Sequence, residues 1–308
     1  MKVSVVICTY ADEMYEEFLD AVESIRVQTY DDVEVVIVVD GTQSVYVRAR
    51  EEHRGDQEDI LVHCNDENQG VSYSRTKGAE LASGDVVAFI DDDAVADPRW
   101  IEELVKTYKK TDALAVGGRM TGRWLAGRPW YLPEEFKWLV GVTYPGFADP
   151  GEEVRNTFES NISFRRDVFL DLGGYDPSFG PDADSYSHSE GAEIGARLRA
   201  EYGRGVVYNP DAVVEHKVFE ERVELTHLLT RAFQQGVSKR RMGRQAPEEG
   251  VSEESTYLSQ VFLEGIPRRA TEAIDSRSPV PLGEAMMLVV FTVAVVLGYL
   301  REIISENI

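Results

Sequence analysis

The sequence predicts an α/β protein built on a mostly parallel β-sheet with helices on both faces. Four short apolar runs, rich in valine and isoleucine, have the length and composition of strands that are buried on both sides. Segments with helical spacing of apolar residues lie between these runs, and the connections are short. Strands that alternate with helices in this way favour parallel pairing through right-handed crossovers.

The predicted elements follow one another from the N-terminus. The run "VSVVIC" is the first strand, and the segment after it places Phe18, Val22 and Ile25 on one face of a helix. An Asp-Gly pair ends the second strand, and Ser83-Gly84 closes the helix before the fourth. The predicted strands are residues 3–8, 33–40, 60–64 and 86–90, and the predicted helices are residues 13–29, 44–52 and 72–81.

The balance of charges argues against one class of partner. The chain has 308 residues, with 55 acidic and 32 basic side chains and a net charge of −23. A polyanion of this kind repels nucleic acid, so no nucleic-acid partner is expected. With 43% apolar residues the chain is not predicted to be disordered, and its acidity suits a folded protein that stays soluble in concentrated salt. We therefore expect a salt-loving source.

Two cysteines, Cys8 and Cys64, lie in or beside predicted strands. We expect them to be buried free thiols in a reducing compartment. The first strand begins at Val3, so no secretory signal is expected before it.

Polar residues follow each of the four predicted strands. Because the carboxyl ends of parallel strands meet at one edge of the sheet, where ligands of such folds gather, we expect these side chains to converge on one site. In a chain this acidic, three adjacent aspartates by themselves would indicate only a solvated loop. The residues are Thr9 and Tyr10 after the first strand, Asp40 and Gly41 after the second, "NDENQG" after the third, and Asp91, Asp92 and Asp93 after the fourth.

The residue types at this edge suit a nucleotide diphosphate and a divalent metal ion. Mg²⁺ and Mn²⁺ are often held by one or two carboxylates together with substrate phosphates, so Asp91 and Asp93 can serve one metal, or one metal and a ribose. Asp40 can accept a hydrogen bond from a nucleotide base. Gly70 precedes a predicted helix with Arg75 in its first turns, where phosphates bind readily, although this cation could instead belong to a solvated helix face.

These segments together resemble a known enzyme family. The matching pieces, in order, are "VSVVICTY", "VVIVVDG", "NQGVSYSRTKGAELASGDVVAFIDDD", "GGR", "NISFRRDVFLDLGGYDPSF" and "SEGAEIGARL". They resemble inverting family 2 glycosyltransferases with the GT-A fold, and the resemblance covers about residues 1–220. The block from Asn68 to Asp93 is the most specific piece, and its aspartates resemble the DXD motif of the family.

The resemblance implies roles for the residues at the strand ends. Thr9 and Asp40 would hold the nucleotide base, and Asp93 would bind a Mg²⁺ or Mn²⁺ ion. His216 resembles a metal-binding histidine of some relatives, although a single histidine in apolar surroundings is more often structural. The expected nucleotide-sugar residues are Thr9, Tyr10, Asp40, Asn68, Gly70, Arg75, Asp91 and Asp92, and the expected metal ligands are Asp91, Asp93 and His216.

The catalytic base of the family is a carboxylate, and its usual position is taken here by Gly191. Members usually carry a Glu-Asp pair where this sequence has "SEGAEIGARL". Glu190 and Glu193 are therefore both candidates for the group that takes a proton from the acceptor hydroxyl, and we favour Glu190. Glu193 can instead pair with Arg197, four positions later on a helix, and both glutamates could simply begin a solvated helix.

Other motifs resemble the family without carrying chemistry. Asn161 begins a strand expected beneath the acceptor cleft, and residues 173–176 are a family fingerprint. Aromatic side chains between Gly118 and Gly141 could stack on a sugar, lie against lipid or pack in a core. They are Trp124, Trp130, Tyr131 and Trp138.

The C-terminal third predicts attachment to a membrane. Residues 225–243 are predicted to form a helix whose cations suit anionic lipid or the phosphate of a lipid carrier, or else a solvated face. Residues 282–300 form a mostly apolar segment near the roughly 20 residues that span a bilayer, with a buried core helix as the alternative. Arginines before this segment predict a cytoplasmic catalytic domain. The helix cations are Arg231, Lys239, Arg240, Arg241 and Arg244, and the later arginines are Arg268, Arg269 and Arg277.

The resemblance thus implies a membrane-attached, metal-dependent transferase. With its acidity, the sequence is similar to haloarchaeal enzymes that assemble dolichol-phosphate-linked glycans for N-glycosylation, as of S-layer glycoproteins. We expect transfer of a hexuronic acid from a UDP donor, with inversion, to such a lipid-linked glycan. The alternatives are a hexosyltransferase for surface polysaccharide, a non-catalytic nucleotide- or sugar-binding module, and a membrane scaffold. The expected domains are a catalytic domain at 1–220 (nucleotide-binding half 1–115, acceptor half 116–220), a basic juxtamembrane region at 221–281 and a membrane helix at 282–300.

Overall fold

The computed structural model describes residues 1–54, 59–180, 190–245 and 257–305. These residues form two compact units. Within the described chain, unit 1 comprises residues 1–121, 148–180 and 190–217, and unit 2 comprises residues 122–147 and 218–305. The expected division into a catalytic domain, a juxtamembrane region and a membrane helix stays a prediction.

The first part of unit 1 is the predicted parallel sheet. Its strands are β1 (Val3–Thr9), β2 (Val33–Val39), β3 (Ile60–Cys64) and β4 (Val86–Asp91), which confirms all four predicted strands to within one residue. They pair in parallel in the order β3-β2-β1-β4. Runs of β-branched residues favour these strands because a parallel sheet is covered on both faces.

Helices connect these strands and continue beyond them. The described helices of unit 1 are α1 (Tyr15–Arg26), α2 (Gln43–Glu52), α3 (Val71–Leu81), α4 (Trp100–Thr111), α5 (Arg166–Asp171) and α6 (Glu190–Tyr202). The predicted helices 44–52 and 72–81 are confirmed to within one residue. The predicted helix 13–29 is wrong at both ends. Asp12–Met14 forms a 3-10 turn, and the backbone N–H of Thr29 bonds to the carbonyl of Pro98 at 2.8 Å instead of continuing the helix.

Alternate residues of the central strands face opposite sides of the sheet. Val3, Val5 and Ile7 of β1 belong to one apolar core, to which α1, α2 and α4 contribute. Val6 belongs to a second core, which contains residues of α3, α5 and α6. This two-residue period is what places helices on both faces of the sheet, as predicted.

The later part of the chain extends the sheet with further strands. They are β5 (Ala94–Ala96), β6 (Ala115–Trp124), β7 (Glu153–Val154), β8 (Ile162–Arg165) and β9 (Val206–Val218). Among the described residues the order is β3-β2-β1-β4-β8-β6-β9-β5, with β7 paired to β9. β8 pairs antiparallel with both β4 and β6, and β5 pairs antiparallel with β9. The sheet is therefore parallel at its N-terminal side and mixed beyond β4.

The Gly-Gly pair of the "GGR" motif lets β6 approach its neighbours closely. A Cβ at Gly118 would lie 1.9 Å from the carbonyl oxygen of Ala212 in β9 and 2.6 Å from Asn161 Nδ2. Asn161 is fully buried, accepts a hydrogen bond from Trp100 Nε1 at 2.8 Å and donates one to the carbonyl of Ala212 at 2.9 Å. These contacts give Asn161 a structural role.

The two cysteines differ in one respect from the prediction. Cys8 and Cys64 are free thiols, as expected, but both are half-buried rather than buried. The reason is their position, because each lies within two residues of the carboxyl end of its strand, at the edge of the sheet.

Unit 2 is built around helices and one apolar core. The helices described in full are α7 (Leu225–Gln245), α8 (Ile266–Ser276) and α9 (Val280–Ser305), and the predicted helix 225–243 is confirmed. α7 and α9 pack closely through two glycines. A Cβ at Gly236 would lie 1.9 Å from the carbonyl oxygen of Val295, and one at Gly298 would lie 1.9 Å from that of Phe233. Such an approach is open only to glycine.

Most of the aromatic side chains singled out in the sequence serve the core of unit 2. Trp124, Tyr131 and Trp138 pack against it, so for these three the core alternative is correct. Trp130 is 55% exposed and lies edge-on to Tyr131.

α9 is long and apolar enough to cross a membrane. It has 26 residues, and its most apolar part has a mean hydropathy of 2.3 with only 17% of that part buried. A core helix of a soluble protein would be mostly buried, so this exposure favours the membrane interpretation over the buried-core alternative. Whether α9 spans a bilayer stays a prediction.

Two of the three arginines singled out before α9 are engaged within unit 2. Arg269 is 1% exposed and pairs with Glu135 at 2.8 Å and with Glu284 at 3.1 Å. Arg268 also pairs with Glu135, at 3.1 Å. Because these charges are balanced locally, they give little support to the predicted orientation, which depended on uncompensated positive charge.

The cations of α7 are also partly used inside unit 2. Arg241 pairs with Glu302 of α9 at 2.8 Å, and Arg240 lies 5.8 Å from the ring centre of Tyr299. The side chain of Arg244 lies outside the described part. Contact of this helix with a lipid or a lipid phosphate stays a prediction.

Replacing Gly118 by alanine should destabilise the protein. The new methyl group would collide with the main-chain carbonyl of Ala212, which cannot move without shifting β9. Overpacking of this kind costs about 3 kcal/mol, which urea-induced unfolding in molar KCl would measure. Gly243→Ala is the matched control, because no atom lies within 4 Å of a Cβ there and alanine favours a helix. Equal losses in the two variants would contradict the packing argument.

Candidate active site

The residues expected to form the site all lie in unit 1, at strand ends and helix starts. Thr9 ends β1, Asp40 follows β2 and Asp91 ends β4. In the parallel register Thr9 is opposite Val39, and Cys8 is opposite Asp91. The ends of three neighbouring strands therefore present these side chains along one edge.

Asp40 holds the loop that leads into α3. Its Oδ1 accepts hydrogen bonds from Asn65 Nδ2 at 2.8 Å and from the backbone N–H of Gln69 at 2.9 Å. Its Oδ2 accepts one from the backbone N–H of Gly70 at 2.8 Å. Asp40 thereby determines where α3 begins, and its expected contact with a nucleotide base stays a prediction.

The glycine after Asp40 makes this closure possible. Gly41 has a φ of +79°, and a Cβ there would lie 2.5 Å from the backbone nitrogen of Asn68. Asn68 is exposed on the loop, and its Oδ1 accepts from the N–H of Gly70 at 3.2 Å. The Asp-Gly pair therefore does more than end a strand, because it lets the loop close against β2.

Thr9 and Tyr10 offer a ligand two kinds of contact. The Thr9 hydroxyl is buried and has no hydrogen-bond partner among the described residues. A buried hydroxyl in this state is costly unless water or a ligand bonds to it. Tyr10 is 59% exposed, so its ring is free to lie against a ligand.

Arg75 of α3 joins two carboxylates inside unit 1. It is 6% exposed, and its terminal nitrogens bond to Asp91 Oδ1 at 2.6 Å and to Glu190 Oε1 at 3.0 Å. Burial by itself would lower the pKa of Arg75, but Asp91 and Glu190 raise it above its ordinary value, so the guanidinium stays charged. The observed role of Arg75 is to orient these two carboxylates. Its expected direct contact with the donor stays a prediction.

Asp93 and His216 form the part of the site that best suits a divalent metal ion. The short strand β5 follows the three aspartates and pairs with β9, which sets His216 opposite Ala94. His216 Nε2 lies 3.4 Å from Asp93 Oδ1, and both side chains are buried. Neighbouring ligands at about 2.1 Å from one ion stand about 3 Å apart, so this pair fits two positions around Mg²⁺ or Mn²⁺.

The other two aspartates are more open. The side chain of Asp91 is 33% exposed and bonded to Arg75, and Asp92 is half-buried. Within the described residues, no group of three or more His, Cys, Asp and Glu side chains is arranged to hold a metal ion by itself. An ion bound here would need oxygen atoms from a substrate, which is how Mg²⁺ is usually held where phosphates are transferred.

A second carboxylate, Glu159, accompanies Glu190 at the start of α6. Its Oε1 accepts a hydrogen bond from the backbone N–H of Gly191 at 3.0 Å. Glu190 is 2% exposed; its Oε1 bonds to Arg75, and its Oε2 has no partner among the described residues. Burial and repulsion from Glu159 raise the pKa of Glu190 to about 8, and burial also raises the pKa of Glu159.

Glu159 was missed by the sequence analysis because little in the sequence points to it. It lies in "FESN", 32 positions before Gly191, and no local spacing connects the two. The available signal was the glycine at the position of the expected aspartate, which left space for a carboxylate from elsewhere.

Glu193 has a different role from Glu190. Its two oxygens bond to Arg197 at 2.6 Å each, which confirms the predicted alternative of a pair along the helix. Arg197 also bonds to the carbonyl of Leu172 and, at 2.8 Å, to that of Gly174. Glu193 therefore helps to anchor residues 173–175, the "GGY" segment, to α6. The role of Glu193 as a base stays a prediction with less support.

The comparisons with known proteins show to which family the chain belongs. The family model described as glycosyl transferase family 2 matches residues 4–173. The chain belongs to this family. It is 47% identical to the glucosyl-dolichyl phosphate glucuronosyltransferase of Haloferax volcanii, over 100% of this chain and 98% of that protein.

Solved structures show the same fold for this family 2 glycosyltransferase. The mannosyltransferase PcManGT from Pyrobaculum calidifontis, in complex with GDP-Man and Mn²⁺, has a TM-score of 0.57 and 16% identity, covering 97% of this chain and 87% of that one. TarS from S. aureus, in complex with UDP, has a TM-score of 0.55 and 14% identity, covering 100% and 91%. The predicted GT-A fold is thereby confirmed.

Replacing Asp40 by asparagine should loosen the loop before α3. Asparagine presents one acceptor oxygen and one amino group to three donors, so at least one bond is lost. Loss of a buried bond to a charged acceptor costs about 2 kcal/mol, which urea unfolding would measure. Asp31→Asn, exposed before β2, is the control. If both variants lose the same stability, Asp40 does not hold the loop.

Replacing Glu190 by glutamine should change how stability depends on pH. The pKa of Glu190 is raised from 4.5 to about 8, so between these values the folded protein binds a proton that the unfolded chain has released. The free energy of unfolding of the wild type should therefore fall as the pH rises through this window, and the variant should lack this component. Urea unfolding at several pH values would test it. A wild-type-minus-variant difference that is constant with pH would mean that Glu190 is ionised throughout.

Proposed function

We propose that this protein transfers glucuronic acid from UDP-glucuronic acid to a glucosyl-dolichyl phosphate acceptor, with inversion at the anomeric carbon. The observation that carries the proposal is the 47% identity to the glucosyl-dolichyl phosphate glucuronosyltransferase of Haloferax volcanii. The identity extends over nearly the whole length of both chains. A glycan on a dolichyl carrier that serves protein N-glycosylation is the context that we expect for such a transfer.

The proposed reaction is a single displacement. The oxygen of an acceptor hydroxyl attacks the anomeric carbon of the donor, on the side opposite to the diphosphate. The bond from that carbon to the diphosphate oxygen breaks, UDP leaves with the electron pair, and the hydroxyl proton passes to a carboxylate. Thr9, Asp40 and the loop that ends at Gly70 would hold the nucleotide.

Asp91, Asp93 and His216 would hold a Mg²⁺ or Mn²⁺ ion together with the diphosphate. Such an ion supplies positive charge that stabilises the departing diphosphate. The support comes from the protein itself, because β5 sets Asp93 beside His216 and Arg75 orients Asp91. The buried Thr9 hydroxyl adds a polar group that a ligand can satisfy.

The apolar face of α9 supports attachment to the membrane in which a dolichyl acceptor resides. Five of its exposed apolar side chains recur every three or four residues and so lie on one side of the helix. In the proposal the donor binds on the cytoplasmic side, where nucleotide sugars are made. These side chains are Met286, Val289, Val293, Leu297 and Leu300, between 42% and 58% exposed.

Sugar transfer by the full-length protein in detergent and molar KCl tests the proposal. UDP-glucuronic acid, UDP-glucose and GDP-mannose would each be offered with glucosyl-dolichyl phosphate, with Mn²⁺ or with a chelator. We expect transfer from UDP-glucuronic acid alone and its loss with the chelator. Transfer of a hexose instead would favour the hexosyltransferase alternative. UDP binding without any transfer would favour the non-catalytic module.

Asp93→Asn serves as the variant for the metal part of this prediction. Loss of one ligand should weaken Mn²⁺-dependent binding of UDP, measured by calorimetry, by about tenfold or more. Asp211→Asn is the matched control, because Asp211 is exposed on β9. Equal UDP affinity of the two variants in Mn²⁺ would contradict the role of Asp93.

A further inference from the structure

Glu159 and Gly191 fit together as complementary residues. Glu159 begins the 3-10 turn Glu159–Asn161, and Gly191 is the second residue of α6. A Cβ at position 191 would lie 2.0 Å from Glu159 Oε1 and 2.9 Å from its carboxyl carbon. The carboxylate of Glu159 therefore fills the volume into which any larger residue at position 191 would project.

The backbone of α6 holds this carboxylate in place. The N–H of Gly191 donates to Glu159 Oε1 at 3.0 Å. Amides in the first turn of a helix have no acceptor within the helix and favour negative charge. The glycine thus contributes both the free volume and the hydrogen bond that position the carboxylate.

The turn that carries Glu159 is fixed to the strand that carries the aspartates. Ser160 Oγ accepts a hydrogen bond from the backbone N–H of Asp91 at 3.0 Å. Asn161, the next residue, is buried and bonded to Trp100 and to the carbonyl of Ala212. Glu159 is therefore held by bonded neighbours in unit 1, three residues before the start of strand β8, which pairs with β4.

The three carboxylates near the start of α6 differ in their exposure and in whether their oxygens are bonded to an arginine. Glu190 is 2% exposed and its Oε1 is bonded to Arg75. Glu193 is bonded through both oxygens to Arg197. Glu159 is partly exposed, and its Oε1 bonds to a neutral backbone amide. A substrate hydroxyl can thus reach Glu159 without breaking either of these ion pairs.

We propose that Glu159 is the catalytic base, an inference that rests on the glycosyl transfer proposed above. The O–H bond of the acceptor breaks and its proton passes to the Glu159 carboxylate. The acceptor oxygen forms a bond to the anomeric carbon of the donor, and the bond from that carbon to the diphosphate breaks, with UDP keeping the electron pair. Protonated Glu159 then returns its proton to water.

The surroundings of Glu159 suit a proton acceptor. Burial raises its pKa, Arg75 opposes this rise and Asp91 adds to it, while the N–H of Gly191 favours the charged form. A carboxylate that binds a proton more readily than usual is a stronger base. Glu190, which is bonded to Arg75, lies close enough to Glu159 for the two carboxyl groups to influence each other.

Glu159→Gln tests the assignment in the full-length protein, with whichever donor the wild type uses. Glutamine can still accept the bond from Gly191 but cannot take the proton. We expect kcat to fall at least about a hundredfold, with UDP affinity changed by less than about twofold. Glu201→Gln, exposed on α6, is the control and should keep the wild-type kcat. A Glu159→Gln variant that keeps more than about a third of the kcat overturns the proposal.

A carboxylate swap separates the loss of a base from a loss of packing. Gly191→Asp alone should be nearly inactive, because its side chain collides with Glu159. The double variant Glu159→Ala with Gly191→Asp places a carboxylate in the vacated volume and should exceed the kcat of Glu159→Ala by about tenfold or more. A double variant no faster than Glu159→Ala would show that Glu159 serves only the structure.

The outcomes also separate this inference from the proposed function. If the wild type transfers sugar and Glu159→Gln transfers it equally well, the assignment of Glu159 as the base is wrong and the transferase function is unaffected. If the folded wild type transfers sugar from none of the three donors, both the proposed transferase function and the assignment of Glu159 as its base are rejected.

Discussion

The buried guanidinium of Arg75 is the interaction on which the candidate active site depends. It lies on α3 and bonds to Asp91 at the end of β4 and to Glu190 at the start of α6. A buried cation that loses its partners costs several kcal/mol, so these three elements must come together for Arg75 to be buried at all. The requirement for charge balance in the interior therefore also sets the positions of the carboxylates.

Carboxylates outnumber cations around Arg75, and this surplus has a chemical use. Asp91, Glu190 and Glu159 all lie close enough to Arg75 to influence one another. One guanidinium cannot balance three negative charges, so the surplus favours a readily held proton on the side of Glu159 and Glu190. In the proposed function it would also favour a metal ion on the side of Asp91. In the proposed transfer the same imbalance would serve two needs, charge stabilisation of the leaving diphosphate and removal of a proton from the acceptor.

Much of the fold could be predicted because its signals are local. The four central strands are runs of β-branched residues, and the structure confirms them to within one residue. The predictions that were wrong or lost support depended on distant contacts. Thr29 leaves the first helix to bond with Pro98. Arg269 before α9 pairs with Glu135, which reduces the support for the predicted orientation without testing it. Neither partner lies near its residue in the sequence, so no periodicity could indicate it.

The sequence by itself determined the parallel sheet and the strand ends at which the polar residues gather, because buried strands and the helices between them are encoded in local hydrophobic patterns. The family followed from the resemblance of its motifs. Only the tertiary structure decided what each charged residue does. Arg75 and Glu193 became parts of ion pairs, and Glu159 was brought to Gly191 across 32 positions of chain. The physical reason is that charges act through space: a carboxylate acquires its role from the cations and amides that folding places beside it.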